Sequence, residues 1–164
     1  MPYSVLLIHS NTNSMTLTDK IKSCIDKSVL CWLATSSADN IPNVSPKEIF
    51  NYYNDDTIII ANIASPQSVN NIKANPNICL SFIDILIQKG YQIKGHAKVI
   101  TSLDDAFLGM HQYLSKMTDG QFPFSSIIVI TSHHAKPIIA PKYVIYPDTT
   151  EAEQIKSAKK VYRL

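Results

Sequence analysis

Three of the links between the β-rich runs of this chain are only three or four residues long, and this brevity restricts the possible folds sharply. Runs at about 29–36, 41–53, 57–63, 77–87, 91–101, 125–133 and 138–146 read as strands. Ser37 to Asn40 join the first to the second, Asn54 to Asp56 the second to the third, and Gln88 to Gly90 the fourth to the fifth. A parallel crossover needs about a dozen residues or more, so these pairs must be antiparallel hairpins. In 91–101, Tyr91, Ile93, Gly95, Ala97 and Val99 alternate with Gln92, Lys94, His96 and Lys98, which gives a strand one dry face and one wet face. Seven strands in hairpins with short helices predict a mainly β (α+β) chain, an antiparallel barrel with helices packed at its sides, because closure removes exposed edges.

The helical segments carry period-3.6 stripes. Leu17, Ile21, Cys24 and Ile25 predict a helix over 17–27. A second is expected over 66–74, between Ser65-Pro66 and Asn75-Pro76, and a third over 103–117, with Ser102 and Asp105 as a capping pair. Phe107, Met110, Leu114 and Met117 form the apolar stripe of the third, and its methionines read as core. Thr150 and Glu153 make a capping-box pattern at the head of a charged helix over 149–162. The 164 residues suit one domain. Residues 1–14 are expected to be dispensable, since Met15 stands just before the first helix and the preceding HSNTNS is polar.

Several function classes are disfavoured. No apolar run approaches the ~20 residues that span a bilayer. The opening MPYSVLLIHS has neither a basic region nor a small-residue cleavage site, so the expected address is the cytoplasm. The net charge of +2 lies in the last 23 residues, because residues 1–141 hold ten lysines and ten acids. A neutral body with interleaved charges argues against nucleic acid as a partner. Cys24, Cys31 and Cys79 lack CxxC spacing and read as reduced, mostly buried thiols. Glycines stand only at 90, 95, 109 and 120, too few and too scattered for a GxGxxG fingerprint or a P-loop. His133-His134 resembles a metal pair, but neighbours on a regular strand face opposite sides, so no metal site is expected. His96 and His111 read as surface or half-buried side chains, and Trp32 and Tyr91 as core or rim aromatics.

Two features point to an anion. Ser65-Pro66-Gln67-Ser68 places an N-cap residue and a first-turn proline at a helix start, where free backbone N–H groups attract negative charge. The bland alternative is that Ser65 only caps its own helix. Lys47, in PNVSPKEIF, follows a proline inside a strand, which marks an edge or bulge and offers a charge to the same anion. Its alternative is an ordinary solvated Lys47-Glu48 pair.

Three blocks, VLCWLATSSADNIPNVSPK, TIIIANIASPQSVNNIKANPNICLSF and KGYQIKGHAKV, resemble in order and spacing the FMN-binding split-barrel family related to pyridoxamine 5'-phosphate oxidase, over about residues 17–147. The resemblance implies an antiparallel split β-barrel that binds FMN as a homodimer, with the cofactor site completed by the partner subunit. It places the FMN phosphate between Ser45, Pro46 and Lys47 on one side and Ser65, Gln67 and Ser68 on the other. Asn62 matches a position lining the flavin ring, and Gln88, Lys89, Phe122 and Phe124 match positions offered by the second subunit. Many members carry Lys or Arg at the helix start where this chain has Gln67 and Ser68. The oxidases also hold substrate phosphate with arginines and an Arg-x-His near the C-terminus. This chain has only Arg163, so pyridoxamine 5'-phosphate oxidation is disfavoured. The implied function is that of an FMN-dependent oxidoreductase of unknown substrate; the alternatives are a non-enzymatic FMN-binding or redox-sensing module and a haem-binding protein of the same fold.

Overall fold

The computed structural model describes residues 14–164; the expectation about residues 1–14 therefore falls almost wholly outside the described part. In chain order the elements are α1 (Asp19–Lys27), β1 (Cys31–Ser36), β2 (Pro42–Lys47), β3 (Phe50–Tyr52), β4 (Thr57–Asn62), α2 (Pro66–Ala74), β5 (Asn77–Asp84), β6 (Lys89–Thr101), α3 (Phe107–Lys116), β7 (Ser126–Ile139), α4 (Pro141–Ile145) and α5 (Glu151–Tyr162). Every strand pairing is antiparallel, and the sheet order is β2-β1-β5-β6-β7-β4-β3.

The two edge strands of this sheet, β2 and β3, are consecutive in the chain and separated only by Glu48 and Ile49. Two residues span at most about 7 Å, so the sheet has to curl until its edges nearly meet. The result is the split barrel: the chain itself, not a hydrogen-bonded ladder, bridges the two edges. The run 41–53, read as one strand, is thus two strands at opposite edges, and the barrel is not fully closed by pairing.

Inward-facing residues of β1 and β3 to β7 meet the apolar faces of α1 and α2 in one core, which includes Ile21, Leu33, Phe50, Ile60, Ile72, Leu80, Phe82, Ile93 and Ile130. A second cluster forms on the outside of β4, β6 and β7, where Ile59, Ala61, Ile100, Ile127 and Val129 pack beneath Met110 and Leu114 of α3. β4, buried on both faces, therefore reads as a continuous apolar run with no alternation.

Three segments differ from expectation for local reasons. The run 138–146 is not a strand: β7 continues unbroken to Ile139, and Pro141 then opens α4 at a first-turn position. Pro137 is tolerated inside β7 because β4 ends its pairing at Thr131, which leaves that side of the strand unpaired. The apolar residues Ile85 to Ile87 belong to a turn and not to a strand, since Asp84 Oδ1 accepts the Leu86 N–H at 3.0 Å. Lys89 and Gly90, read as part of the link, already belong to β6.

Ser102 and Asp105 do not cap α3. The helix begins at Phe107 behind Ala106, while Asp104 Oδ2 takes the Thr101 N–H at 2.9 Å. Met110 is core as expected, but Met117 lies beyond the helix and is exposed. Trp32 is 48% exposed on the outer face of β1. The capping box of α5 is formed as read.

Candidate functional site

The period-2 alternation of β2 divides PNVSPK into two faces. Pro42, Val44 and Pro46 are exposed, whereas Asn43 and Ser45 are half-buried and Lys47 is buried. An edge strand with a polar inner face needs polar partners, and α2 supplies them. Ser45 Oγ and Ser68 Oγ lie 3.1 Å apart, and Asn43 Nδ2 donates to Thr35 Oγ1 at 3.2 Å and to Ser68 Oγ at 3.4 Å. Asn71 Nδ2 donates to Thr35 Oγ1 at 3.0 Å. Thr35, Ser68 and Asn71 are all buried.

Lys47 reaches into this cradle. Its ammonium donates to Ser65 Oγ, and only 6% of the residue is exposed. Ser65 does not cap α2 with its side chain; the hydroxyl is turned to Lys47. Neither bland alternative holds, since Glu48 is exposed and Lys47 is not. Among the described residues the ion pairs are Lys22–Asp55 and Lys89–Glu151, so no carboxylate neutralises Lys47. Burial pushes its pKa below the ordinary lysine value, with the nearby Cys31 thiol opposing weakly. Cys31, its cross-strand partner, is driven far up by its own burial and stays a neutral thiol.

A buried ammonium and the positive end of α2 thus share one small region with no negative charge between them. This arrangement costs free energy unless an anion joins it. Replacing Lys47 by methionine should therefore stabilise the ligand-free protein, on the order of 1 kcal/mol at neutral pH. The pH dependence has a definite sign. Folded Lys47 loses its proton below the unfolded value near 10.5. In that interval the unfolded chain holds more protons, so ligand-free stability rises with pH. Thermal melts from pH 7 to 10 should show this rise in the native protein and a flatter profile in Lys47→Met. Identical slopes would place the charge in solvent.

The other expected site residues are distributed as follows. Gln67 makes no hydrogen bond to Lys47, Ser45 or Ser68; its Nε2 donates to Asn71 Oδ1 at 2.8 Å. Pro46 sits on the outer face, opposite Trp32 in register. Asn62, at the end of β4, donates to Ser126 Oγ at 2.9 Å and leaves its Oδ1 buried without a partner. Gln88 and Lys89 share no hydrogen bond with the cradle: Gln88 donates to the Tyr162 hydroxyl at 3.1 Å, and Lys89 pairs with Glu151 at 2.8 Å and lies over the Tyr143 ring. Lys89 lines a cavity of about 630 Å³ between α1, the β5–β6 turn, the end of β7 and Glu151. Phe122 is exposed, and Phe124 is buried against His111 in the outer cluster. Sequence reasoning missed Thr35, Asn43 and Asn71, although the alternation Asn43, Ser45, Lys47 already put three polar groups on one strand face.

The family model for pyridoxamine 5'-phosphate oxidase matches residues 17–156, nearly the whole described chain. The chain belongs to the pyridoxamine 5'-phosphate oxidase family. Solved structures agree on the fold. HupZ of Group A Streptococcus is 25% identical, with a TM-score of 0.62 over 72% of this chain and 90% of that one. An FMN-binding protein from Syntrophomonas wolfei is 16% identical, with a TM-score of 0.61 over 76% and 87%. HutZ, the haem storage protein of Vibrio cholerae, is 17% identical, with a TM-score of 0.60 over 76% and 95%. No curated protein matches. Members of the pyridoxamine 5'-phosphate oxidase family and their structural neighbours thus include flavin-binding and haem-binding split barrels, and no helix among the described residues is long and apolar enough to cross a membrane.

Proposed function

We propose that this chain is an FMN-binding flavoprotein that works as a homodimer, with the FMN phosphate in the cradle of Ser45, Lys47, Ser65 and Ser68. The observation that carries the reading is the buried, unpaired Lys47 ammonium beside the start of α2. A phosphate monoester bears about −1.5 to −2 charge at pH 7 and accepts several hydrogen bonds, which suits one ammonium, a ring of hydroxyls and free helix N–H groups. The orphan Oδ1 of Asn62, a short chain length before that helix, is an acceptor suited to an N–H of the flavin ring. When bound, FMN would supply one- and two-electron chemistry, and the protein would supply orientation and an apolar surround.

Two observations support a second subunit. Gln88 and Lys89 bond to α5 and share no hydrogen bond with the cradle, and Phe122 is exposed, so a partner copy is the means of bringing those groups to the same cofactor. An apolar groove of about 400 Å³ also opens on the outer face of β1 and β5, between Val29, Trp32, Ile83, Ile85 and Ile138. Large exposed apolar patches mark interaction surfaces. The reaction served is electron transfer to a small molecule, and pyridoxamine 5'-phosphate oxidation is disfavoured because the one arginine, Arg163, is exposed at the C-cap of α5.

The absorbance spectrum and hydrodynamic size of freshly purified protein test this reading. Flavin bands on a dimer are expected. A Soret band in their place would transfer the chain to the haem-binding alternative, and a colourless monomer that ignores added FMN would end both. Turnover with NADH or NADPH separates an oxidoreductase from a non-enzymatic flavin module. Gln67→Lys, which restores a cation at the helix start, should tighten FMN binding by about 2–5-fold, the scale of one charge at a helix terminus; weaker binding would mean that the Gln67–Asn71 bond is the more important contribution.

A further inference from the structure

The β-bulge between β6 and β7 overturns the rule that adjacent histidines face opposite sides. In register, Lys94 pairs with His134 but Gly95 pairs with Ser132, so His133 is the extra residue. A bulged residue leaves the alternation, and here His133 lands on the wet face with His96. The two imidazoles meet edge to face, with ring centroids 4.4 Å apart and an interplanar angle of 78°. His134, paired with Lys94, is exposed on the same face of the sheet.

A relay of side chains fixes the proton on His96. Asn75 Oδ1 accepts from both the backbone N–H and Nδ2 of Asn77, at 3.1 and 2.9 Å, which orients the Asn77 amide. Its Oδ1 then lies 3.0 Å from His96 Nε2. A carbonyl oxygen only accepts, so Nε2 carries the hydrogen and, in the neutral ring, the lone pair lies on Nδ1. A carbonyl behind one ring nitrogen and a free lone pair on the other is the arrangement that metal-binding histidines use. Desolvation, reinforced by the neighbouring His96, pushes the His133 pKa down, which favours its neutral, metal-binding form.

We propose that His96 and His133 form a two-imidazole site for a divalent ion of the nickel, copper and zinc group, with Asn77 as a positioning residue. Two nitrogens each about 2.1 Å from a tetrahedral ion stand about 3.4 Å apart, a separation that rings this close reach by side-chain rotation. Imidazole donors without carboxylates select these ions over magnesium or calcium. The nearby Lys94 and Lys98 disfavour any cation held by charge alone. Among the described residues no three His, Cys, Asp or Glu side chains converge, so water completes the coordination. The site is separate from the Lys47 cradle and does not depend on the flavin reading.

Titration of the full chain, free of any histidine tag, with Ni²⁺ tests the proposal. One ion per chain is expected. His96→Ala and His133→Ala should each weaken binding at least about tenfold, while Asn77→Ala should weaken it within the range of about 10–100-fold seen for lost supporting contacts. His134→Ala should leave the affinity within about twofold, since that ring lies outside the pair. The Cu²⁺ complex of the unsubstituted protein should show coupling to two nitrogens in its electron paramagnetic resonance spectrum, a readout that needs no variant to fold. Unchanged Ni²⁺ affinity in His133→Ala, an equal loss in His134→Ala, or a single coupled nitrogen would overturn the assignment.

Discussion

Lys47→Ala is expected to weaken FMN binding about 10–150-fold. The figure follows from losing a hydrogen bond to a charged group, about 1.5–3 kcal/mol, at ~1.4 kcal/mol per factor of ten. The upper part of that range is favoured by burial, because water screens an ammonium in this setting poorly. Ser65 loses the Lys47 partner of its hydroxyl at the same time, since among the described residues that hydroxyl accepts from Lys47 and from no helix N–H. Fluorescence titration of apoprotein with FMN reads the loss, and a change under about threefold would show that the phosphate is held elsewhere.

Gly95→Ala should destabilise the fold by about 1–3 kcal/mol, the usual cost of overpacking. A Cβ at this position would stand 2.2 Å from the Thr131 carbonyl oxygen, a backbone atom that cannot swing aside. The strand would have to separate from β7 next to the bulge. At about 2–4 °C per kcal/mol for a chain of this size, the melting temperature should fall by several degrees. Gly90→Ala, whose Cβ would meet the Phe82 carbonyl oxygen at 2.1 Å, should behave alike. Gly120→Ala meets no atom within 4 Å and bears only the strain of a left-handed φ of 72°, so it serves as the milder comparison. Equal melting temperatures for Gly95→Ala and the native protein would mean that β6 and β7 are less closely paired than described.

What the sequence made legible follows from which interactions are local. Short links fixed the antiparallel pairing, and alternation in 91–101 marked the inward set Ile93, Gly95 and Ala97 of β6. The split of 41–53 into two edge strands was not legible, because it depends on the sheet curling and not on any residue between Pro42 and Tyr53. The bulge at His133 was hidden for a similar reason: it is a mismatch of register between two strands, and each strand alone reads as regular. Ser65 looked like a cap because serine before proline usually is one; the approach of Lys47 from β2 redirected its hydroxyl. The Lys47 charge and the start of α2 were visible in the sequence as two hints of an anion site, and the fold brings the two groups together. Lys89 and Gln88, by contrast, are drawn by Glu151 and Tyr162 to the C-terminal helix, a contact no local pattern announces.

The most direct test of the Lys47 phosphate cradle compares FMN with riboflavin, which differ only by the phosphate, on the native protein and on Lys47→Ala. Four titrations give the ratio of the two dissociation constants before and after the substitution. On the phosphate-cradle reading, the native protein prefers FMN by at least about tenfold, one ~1.4 kcal/mol step, and Lys47→Ala loses most of this preference while riboflavin affinity barely changes. Equal losses for both ligands, with the ratio preserved, would contradict it and assign Lys47 to the ring or to the fold.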